Sequence, residues 1–395
     1  MTLHSRKNGS AAWMGAAVVL AVAGASAGCV VGIAYTGSED GGSPDSEVVT
    51  SDGGVADAAQ PLPDASAPPP DGAPPQPDAF VQQDAAPTGC TALGCQANAW
   101  CDTATDLCHC LTGFVDDGSG NCVAVDPGDP AARSEADMCQ RWSADHQITT
   151  SPAWTAGPTT CDPGTLAPGA IADAVAYINV YRYLCGLSPL ADDPALNEDA
   201  QYCAIIQDQQ GFLDHTPDPT APCYTAQGGA AAGASNLALG PSHPAPTIDL
   251  YIDDSGVSSL GHRRWILNPS YGPAGVGHAG NAGCLYVFSW STTGNPDFVA
   301  WPNQGFTPIS VIPSVWSFSS NNYNLNAGTV VEVVRLSDMA TLPVSTSVPP
   351  SGYGQPAVAF SPTGWSAQAG ETYEVTLSDA GGPMVVYQVR PVTCP

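Results

Sequence analysis

Hydrophobic positions change their period along this chain. Ala11 to Ala25 form an uncharged apolar stretch, and the uncharged run continues through Val30-Val31-Gly32-Ile33-Ala34-Tyr35. From Pro168 the apolar side chains recur at three- and four-residue intervals, at Ile171, Ala174, Val175, Ile178 and Tyr181, joined by Arg182 and closed by Gly186. That spacing predicts a helix with one face turned to a core. Asp193-Pro194 reads as an N-cap followed by proline at the first helical position, and Leu196, Ala200, Cys203, Ala204 and Gln207 make one stripe up to Gly211. After about residue 300 the period shortens to two. Residues 329–335, 357–360, 372–378 and 384–390 then read as strands between Gly, Pro and Ser turns. The expected class is α+β, with an all-β, sandwich-like domain over residues 298–395.

Composition changes this picture at the N-terminal end. Residues 36–88 hold ten Pro and ten Asp or Glu, no Lys or Arg, and almost nothing large and apolar. Such a segment cannot bury enough surface to offset chain entropy, so a disordered, extended stalk is expected over 29–88. Over all 395 residues the formal net charge is −28, with nine Lys and Arg. So few cations exclude the phosphate neutralisation on which nucleic-acid binding depends, and also electrostatic docking to anionic headgroups.

Basic residues His4, Arg6 and Lys7 precede the first apolar stretch, and Ser26-Ala27-Gly28-Cys29 follows it. This arrangement resembles an export signal over 1–28 with a bacterial lipobox that would lipidate Cys29. Two other readings stay open: cleavage after Ala25-Ser26-Ala27, or an uncleaved helix that spans the bilayer. All three place the folded part outside the cytoplasm, on an outer membrane or cell surface or free in the medium. Fourteen cysteines in an exported chain read as disulfides rather than zinc thiolates.

Six of these cysteines, Cys90, Cys95, Cys101, Cys108, Cys110 and Cys122, fall close together, with Gly113-Phe114 after the fifth. The spacing resembles an EGF-like module over 89–123. That resemblance implies the pairs Cys90 with Cys101, Cys95 with Cys108, and Cys110 with Cys122. Residues 124–167 read as a connector. Among the later cysteines, proximity suggests Cys139 with Cys161, then Cys185 with Cys203 and Cys223 with Cys284, leaving Cys394 over.

The middle of the chain carries an ordered set of motifs. YINVYRYLCGLSPLADDPALNEDAQYCA spans 177–204, His215 follows, then SNLALG at 235–240, SLGHRRWILNP at 259–269, Gly275-Val276-Gly277 and LYVFSW at 285–290. In this order and spacing they resemble the CAP superfamily of cysteine-rich secretory, antigen five and pathogenesis-related proteins, over 168–297. The resemblance implies an α-β-α sandwich whose cleft holds two histidines and two acidic residues. Carried over residue by residue, these are His215 and His262, Asp254 for one acid, and Ser235, before Asn236, where the second acid would stand. A zinc ion on His215 and His262 is the cofactor the family implies. Beside it stand an extracellular or envelope ligand (a lipid or sterol, a polysaccharide or a protein), a metal-dependent hydrolase, and a structural envelope protein with a vestigial cleft. Membrane attachment would run through the lipid anchor or the uncleaved helix.

Arg263 and Arg264, adjacent in a chain poor in cations, are expected as structural clamps on carbonyls or a carboxylate at the junction with the β domain. Trp265 and Ile266 are expected to pack under the cleft, and His278, at a strand end, reads equally as lining the cleft rim or as exposed.

Overall fold

The computed structural model describes residues 89–291 and 296–395. The export, lipidation and stalk readings fall on residues 1–88, outside the described residues. The first described stretch comprises α1 (Cys90–Leu93) and two hairpins, β1 (Ala99–Asp102) with β2 (Leu107–Cys110), and β3 (Phe114–Asp116) with β4 (Cys122–Ala124). Disulfides Cys90–Cys101, Cys95–Cys108 and Cys110–Cys122 staple it, the same pairs that the EGF-like resemblance implies.

Helix α2 (Glu135–Asp145) begins at Ser134, whose hydroxyl accepts from the Asp137 amide. The segment read as a connector therefore carries a helix, and its Met138, Cys139 and Trp142 enter the main core. After the short pair β5 (Trp154–Thr155) and β6 (Thr165–Leu166) come α3 (Pro168–Leu184) and α4 (Pro194–Gln210). The Asp193 carboxylate caps α4 by accepting from the Ala195 and Leu196 amides. There follow α5 (Ala226–Gly233), β7 (Ser235–Leu239), α6 (Pro244–Asp253), α7 (Gly261–Ile266), β8 (Gly275–Ala279) and β9 (Ala282–Tyr286).

Strands β7, β9 and β8 form one antiparallel sheet in that spatial order. Alternation sends successive side chains to opposite faces. Leu237, Ala279 and Cys284 pack on Ala200, Cys203 and Ala204 of α4 and Ala231 and Ala232 of α5. Ala238, Val276 and Leu285 pack on the other face, against α3 and α6. Helix α4 lies so close to β8 that a Cβ at Gly277 would meet the Ala200 backbone, so the Gly-Val-Gly spacing sets this interlayer distance. The result is a three-layer arrangement of helices, sheet and helices.

Beyond it lie β10 (Val299–Trp301), β11 (Gly305–Pro308), β12 (Trp316–Ser319), β13 (Val330–Arg335), β14 (Ala340–Leu342), β15 (Val344–Ser347), β16 (Ala357–Pro362), β17 (Tyr373–Asp379) and β18 (Gly382–Val392). One sheet runs β10-β12-β16-β15 and the other β11-β18-β17-β13-β14. Their inner faces share one core, with Trp316, Phe318 and Phe360 from the first and Val333, Tyr373 and Val389 from the second. Val299, Trp301 and Val392 join the helical core instead, so hydrophobic packing continues from the helical layers into this region. Among the described residues no helix is long and apolar enough to cross a membrane.

The later cysteines correct the proximity pairing. The bonds are Cys139–Cys394, Cys161–Cys223 and Cys203–Cys284, and Cys185 is a buried free thiol. Cys139 lies on the buried face of α2. The parallel pairing of β11 with β18 brings the chain's last residues beside that helix, so Cys139 meets Cys394 rather than Cys161. Cys203 faces the sheet from α4 and finds Cys284 there. Cys185 follows α3, where its thiol lies 3.5 Å from the Ala300 carbonyl.

Candidate functional site

Four of the five expected cleft residues lie around one corner formed by the start of β7, the end of α6 and the first turn of α7. Asp254 ends α6 in a left-handed conformation, φ 49°, which turns its side chain back toward α7. Its carboxylate, with none of the side chain exposed, takes two hydrogen bonds: His262 Nδ1 at 2.8 Å and the Arg263 amide at 3.2 Å. The second satisfies an amide in the first turn of α7, which has no partner within its own helix. Asp254 thus fixes the His262 ring and begins the helix that carries it.

The Asn236 carboxamide donates to the His262 carbonyl at 3.1 Å. Tyr251, three positions before Asp254 on α6, sets its ring 5.4 Å from the His262 ring, and its hydroxyl donates to the Asn236 carbonyl at 3.0 Å. Tyr251 lies in the last turn of α6, and Asp254, left-handed just past that turn, brings its carboxylate to the same corner; no sequence motif singles Tyr251 out. Ser235 is buried, and its hydroxyl has no hydrogen-bond partner. It does not touch a histidine as an activated nucleophile would.

His215 follows α4, and its Nδ1 lies 2.9 Å from the Ala232 carbonyl in the last turn of α5. A carbonyl can only accept, so this nitrogen carries the proton. The residue is exposed overall, yet its ring is covered enough that lost hydration holds its pKa below the ordinary histidine value. The bond to Ala232 opposes that shift, and the nearby His262 imidazole adds to it. Each of the two rings spends Nδ1 on an internal acceptor, which leaves Nε2 uncommitted.

A catalytic zinc takes three protein ligands and keeps a fourth position for water. Here two Nε2 atoms are on offer, and Asp254 is committed to His262 Nδ1. Among the described residues, three-ligand groups occur only at Cys90, Cys95 and Cys108, and at Cys90, Cys101 and Asp106, whose thiols are spent in disulfides. The donor set around the two histidines is thus one protein ligand short of the three that a catalytic zinc takes. Two cavities, of about 180 and 590 Å³, lie elsewhere, and neither is lined by His215 or His262.

Three buried arginines surround this corner. Arg263 Nε donates to the Ile252 carbonyl, Nη2 to the Asp253 carbonyl, and Nη1 to the Val315 carbonyl at 2.9 Å and the Ser317 hydroxyl at 3.1 Å. Arg264 reaches the Ser259, Pro350 and Gln355 carbonyls. Arg182 donates to the Ser188, Ile266 and Asn268 carbonyls. Burial pushes Arg182 and Arg263 down to about 10, so both stay charged at neutral pH. The adjacent pair clamps α7 to the strands and loops of the β region.

Ile266 is fully buried, and Trp265 is half-buried, packed against the main core while its ring also meets Phe288 and Trp290. One expectation fails here. His278 is completely buried on β8 rather than exposed or at a rim, because all five residues of that edge strand are covered.

Comparison with protein families matches residues 175–292 to CAP, the cysteine-rich secretory protein family. No curated protein and no solved structure matches the chain. The matched span contains both histidines, Asp254, Asn236 and the three-stranded sheet. A CAP domain is therefore present over residues 175–292, and the six disulfides among the described residues suit an oxidising, extracellular setting.

Proposed function

We propose that this is an exported surface protein that binds an extracellular ligand through the face around His215 and His262. Lipid attachment at Cys29, a stalk over 29–88 and an EGF-like spacer over 89–123 would hold that face away from the membrane. The domain limits that go with this reading are 168–297 for the CAP-type unit and 298–395 for the β unit. The carrying observation is that both imidazoles bind internal acceptors through Nδ1 and leave Nε2 uncommitted. Such rings are fixed in orientation and can accept a hydrogen bond from a ligand hydroxyl. Binding is favoured over metal-dependent hydrolysis because the third ligand is lacking and Ser235 is not paired with a base.

A lipid or sterol is the ligand class to test first. Full-length protein would be titrated with palmitate and with cholesterol, alongside His215→Ala and His262→Ala. Each substitution should weaken binding about tenfold, the loss of one polar contact, with no fall in melting temperature for His215→Ala. Equal affinity in all three proteins would remove this reading. Stoichiometric zinc, lost in both variants, would restore the hydrolase.

A further inference from the structure

The larger cavity, about 590 Å³, opens between the end of α7 and the loop that precedes β16. Trp265 and Trp290 form its aromatic side, and Asn268, Ser270, Asn321 and Gln355 supply carboxamides and a hydroxyl. Trp265 packs at 4.9 Å from Phe288, 5.8 Å from Trp290 and 6.4 Å from Tyr353. Trp290 is 56% exposed, Phe288 44% and Tyr353 38%. An aromatic group this open to solvent marks a recognition surface.

The walls are rigidly held. Arg264 donates to the Pro350 carbonyl at 2.8 Å and to the Gln355 carbonyl at 2.8 Å, so it pins the loop bearing Tyr353 against the helix bearing Trp265. Gly354 has φ 82° and sits against Asn268 and the Arg264 carbonyl, which lets the loop approach that closely. The rare cations thus shape this cavity without lining it. Pre-formed walls lower the ordering cost of binding.

The lining selects among ligand classes. None of its nine residues is charged and none is aliphatic. A fatty acyl chain or a sterol would be enclosed by aliphatic side chains, and an anionic ligand would need a cation, in a chain whose net charge is −28. A neutral sugar matches what remains. The C–H face of a pyranose ring stacks on an aromatic ring, and its hydroxyls pair with carboxamides that both donate and accept.

We propose that this cavity is a binding site for a neutral oligosaccharide, separate from the His215 and His262 face. The test uses full-length protein and a panel of cellotetraose, chitotetraose, maltotetraose, mannotetraose and xylotetraose. Binding would be read by tryptophan fluorescence and by titration calorimetry. At least one should bind with a Kd on the order of 0.1–1 mM, and Trp290→Ala should weaken it about tenfold, the order expected for one lost stacking partner. Asn321→Ala, at an exposed position, should weaken it several-fold. His215→Ala should leave it unchanged. No binding to any member of the panel would overturn the proposal, as would binding that survives both the Trp290 and Asn321 substitutions. Palmitate or cholesterol binding lost in Trp290→Ala, without sugar binding, would also overturn it and assign the cavity to lipid.

Discussion

Residues 89–124 and residues 135–395 are held by different means. Among the described side chains, the first stretch buries only Cys90, Leu111 and Cys122, yet it carries three of the six disulfides. The longer stretch builds two large cores and a smaller one, and adds three disulfides that span 62 to 255 positions of sequence. A short chain cannot offset its conformational entropy by burial, so covalent loop closure carries the load. The two also meet: Leu111 enters the helical core, and the Asn179 carboxamide donates to the Thr112 carbonyl at 2.8 Å. Staples should therefore matter locally in the first stretch, while buried polar clamps and core packing should decide the second.

The largest effect is expected at Arg263. Replacing it with Gln leaves the Ile252, Asp253 and Val315 carbonyls without their charged donor, at about 1–3 kcal/mol for each buried group left dry. A total loss of roughly 3–5 kcal/mol in denaturant unfolding is expected, larger than for any single substitution in residues 89–124. An unchanged midpoint for the double variant Arg263→Gln with Arg264→Gln would exclude the clamp role.

Next comes Cys110–Cys122, which closes a loop with a sequence separation of 12. Its removal as Cys110→Ser with Cys122→Ser should cost the first stretch about 3 kcal/mol in the chain-entropy account. Hydrogen exchange should show protection lost over 89–124 and kept in α3 and α4. Global unfolding of both stretches would refute the division drawn here.

Much of this contrast was legible in the sequence, for physical reasons that differ by element. The helix at 168–186 and the strands after 329 begin and end close to their expected limits, because period and punctuation are local properties. The resemblance gave the pairing in the first stretch, where spacing alone allows fifteen. The later pairs could not be read, because Cys139 and Cys394 meet only after β18 has paired with β11. In the site, His262 and Asp254 were readable through motif order. Tyr251 and the commitment of Asp254 to His262 Nδ1 depend on how α6 ends, at a left-handed residue that no motif announces. His278 was misplaced because burial of a polar side chain on a short strand follows from tertiary covering, not from period.

The core also holds a buried histidine whose titration is coupled to folding. His278 is completely buried, and desolvation first, then the neighbouring His243, pushes its pKa down to about 4. The native state therefore keeps this ring neutral, while the unfolded chain protonates it near the ordinary value of about 6.5. Between those values the unfolded state binds more protons, so stability rises with pH and is lost as pH falls from about 6.5 to about 4. The loss should reach about 2–3 kcal/mol, and it should be absent above pH 7. His278→Leu should flatten the slope in that window while leaving exchange protection over 89–124 with its original pH dependence. A slope that persists unchanged in this variant would move the acid sensitivity to His215 or His243, whose pKa values burial also lowers.

The smallest effect is kinetic. Cys185 is the free thiol of the described residues, and burial pushes its pKa up to about 12, against opposing pulls from Arg133, Arg182 and Arg263. Thiol reagents attack the thiolate, so at neutral pH this group should be inert in the native state. It lines the cavity of about 180 Å³ where α3 meets β10, beside the Ala300 carbonyl, and stays buried there, so its full exposure requires the walls of that cavity to part. Labelling with a maleimide should therefore follow opening of the large core and stay slow when Cys110 and Cys122 are replaced. In Arg263→Gln it should accelerate, since weakening that clamp raises the population of the parted state. Equal labelling rates in the wild type and in Arg263→Gln would mean that the thiol is reached by a local movement at the end of α3, and that the clamp does not govern this seam.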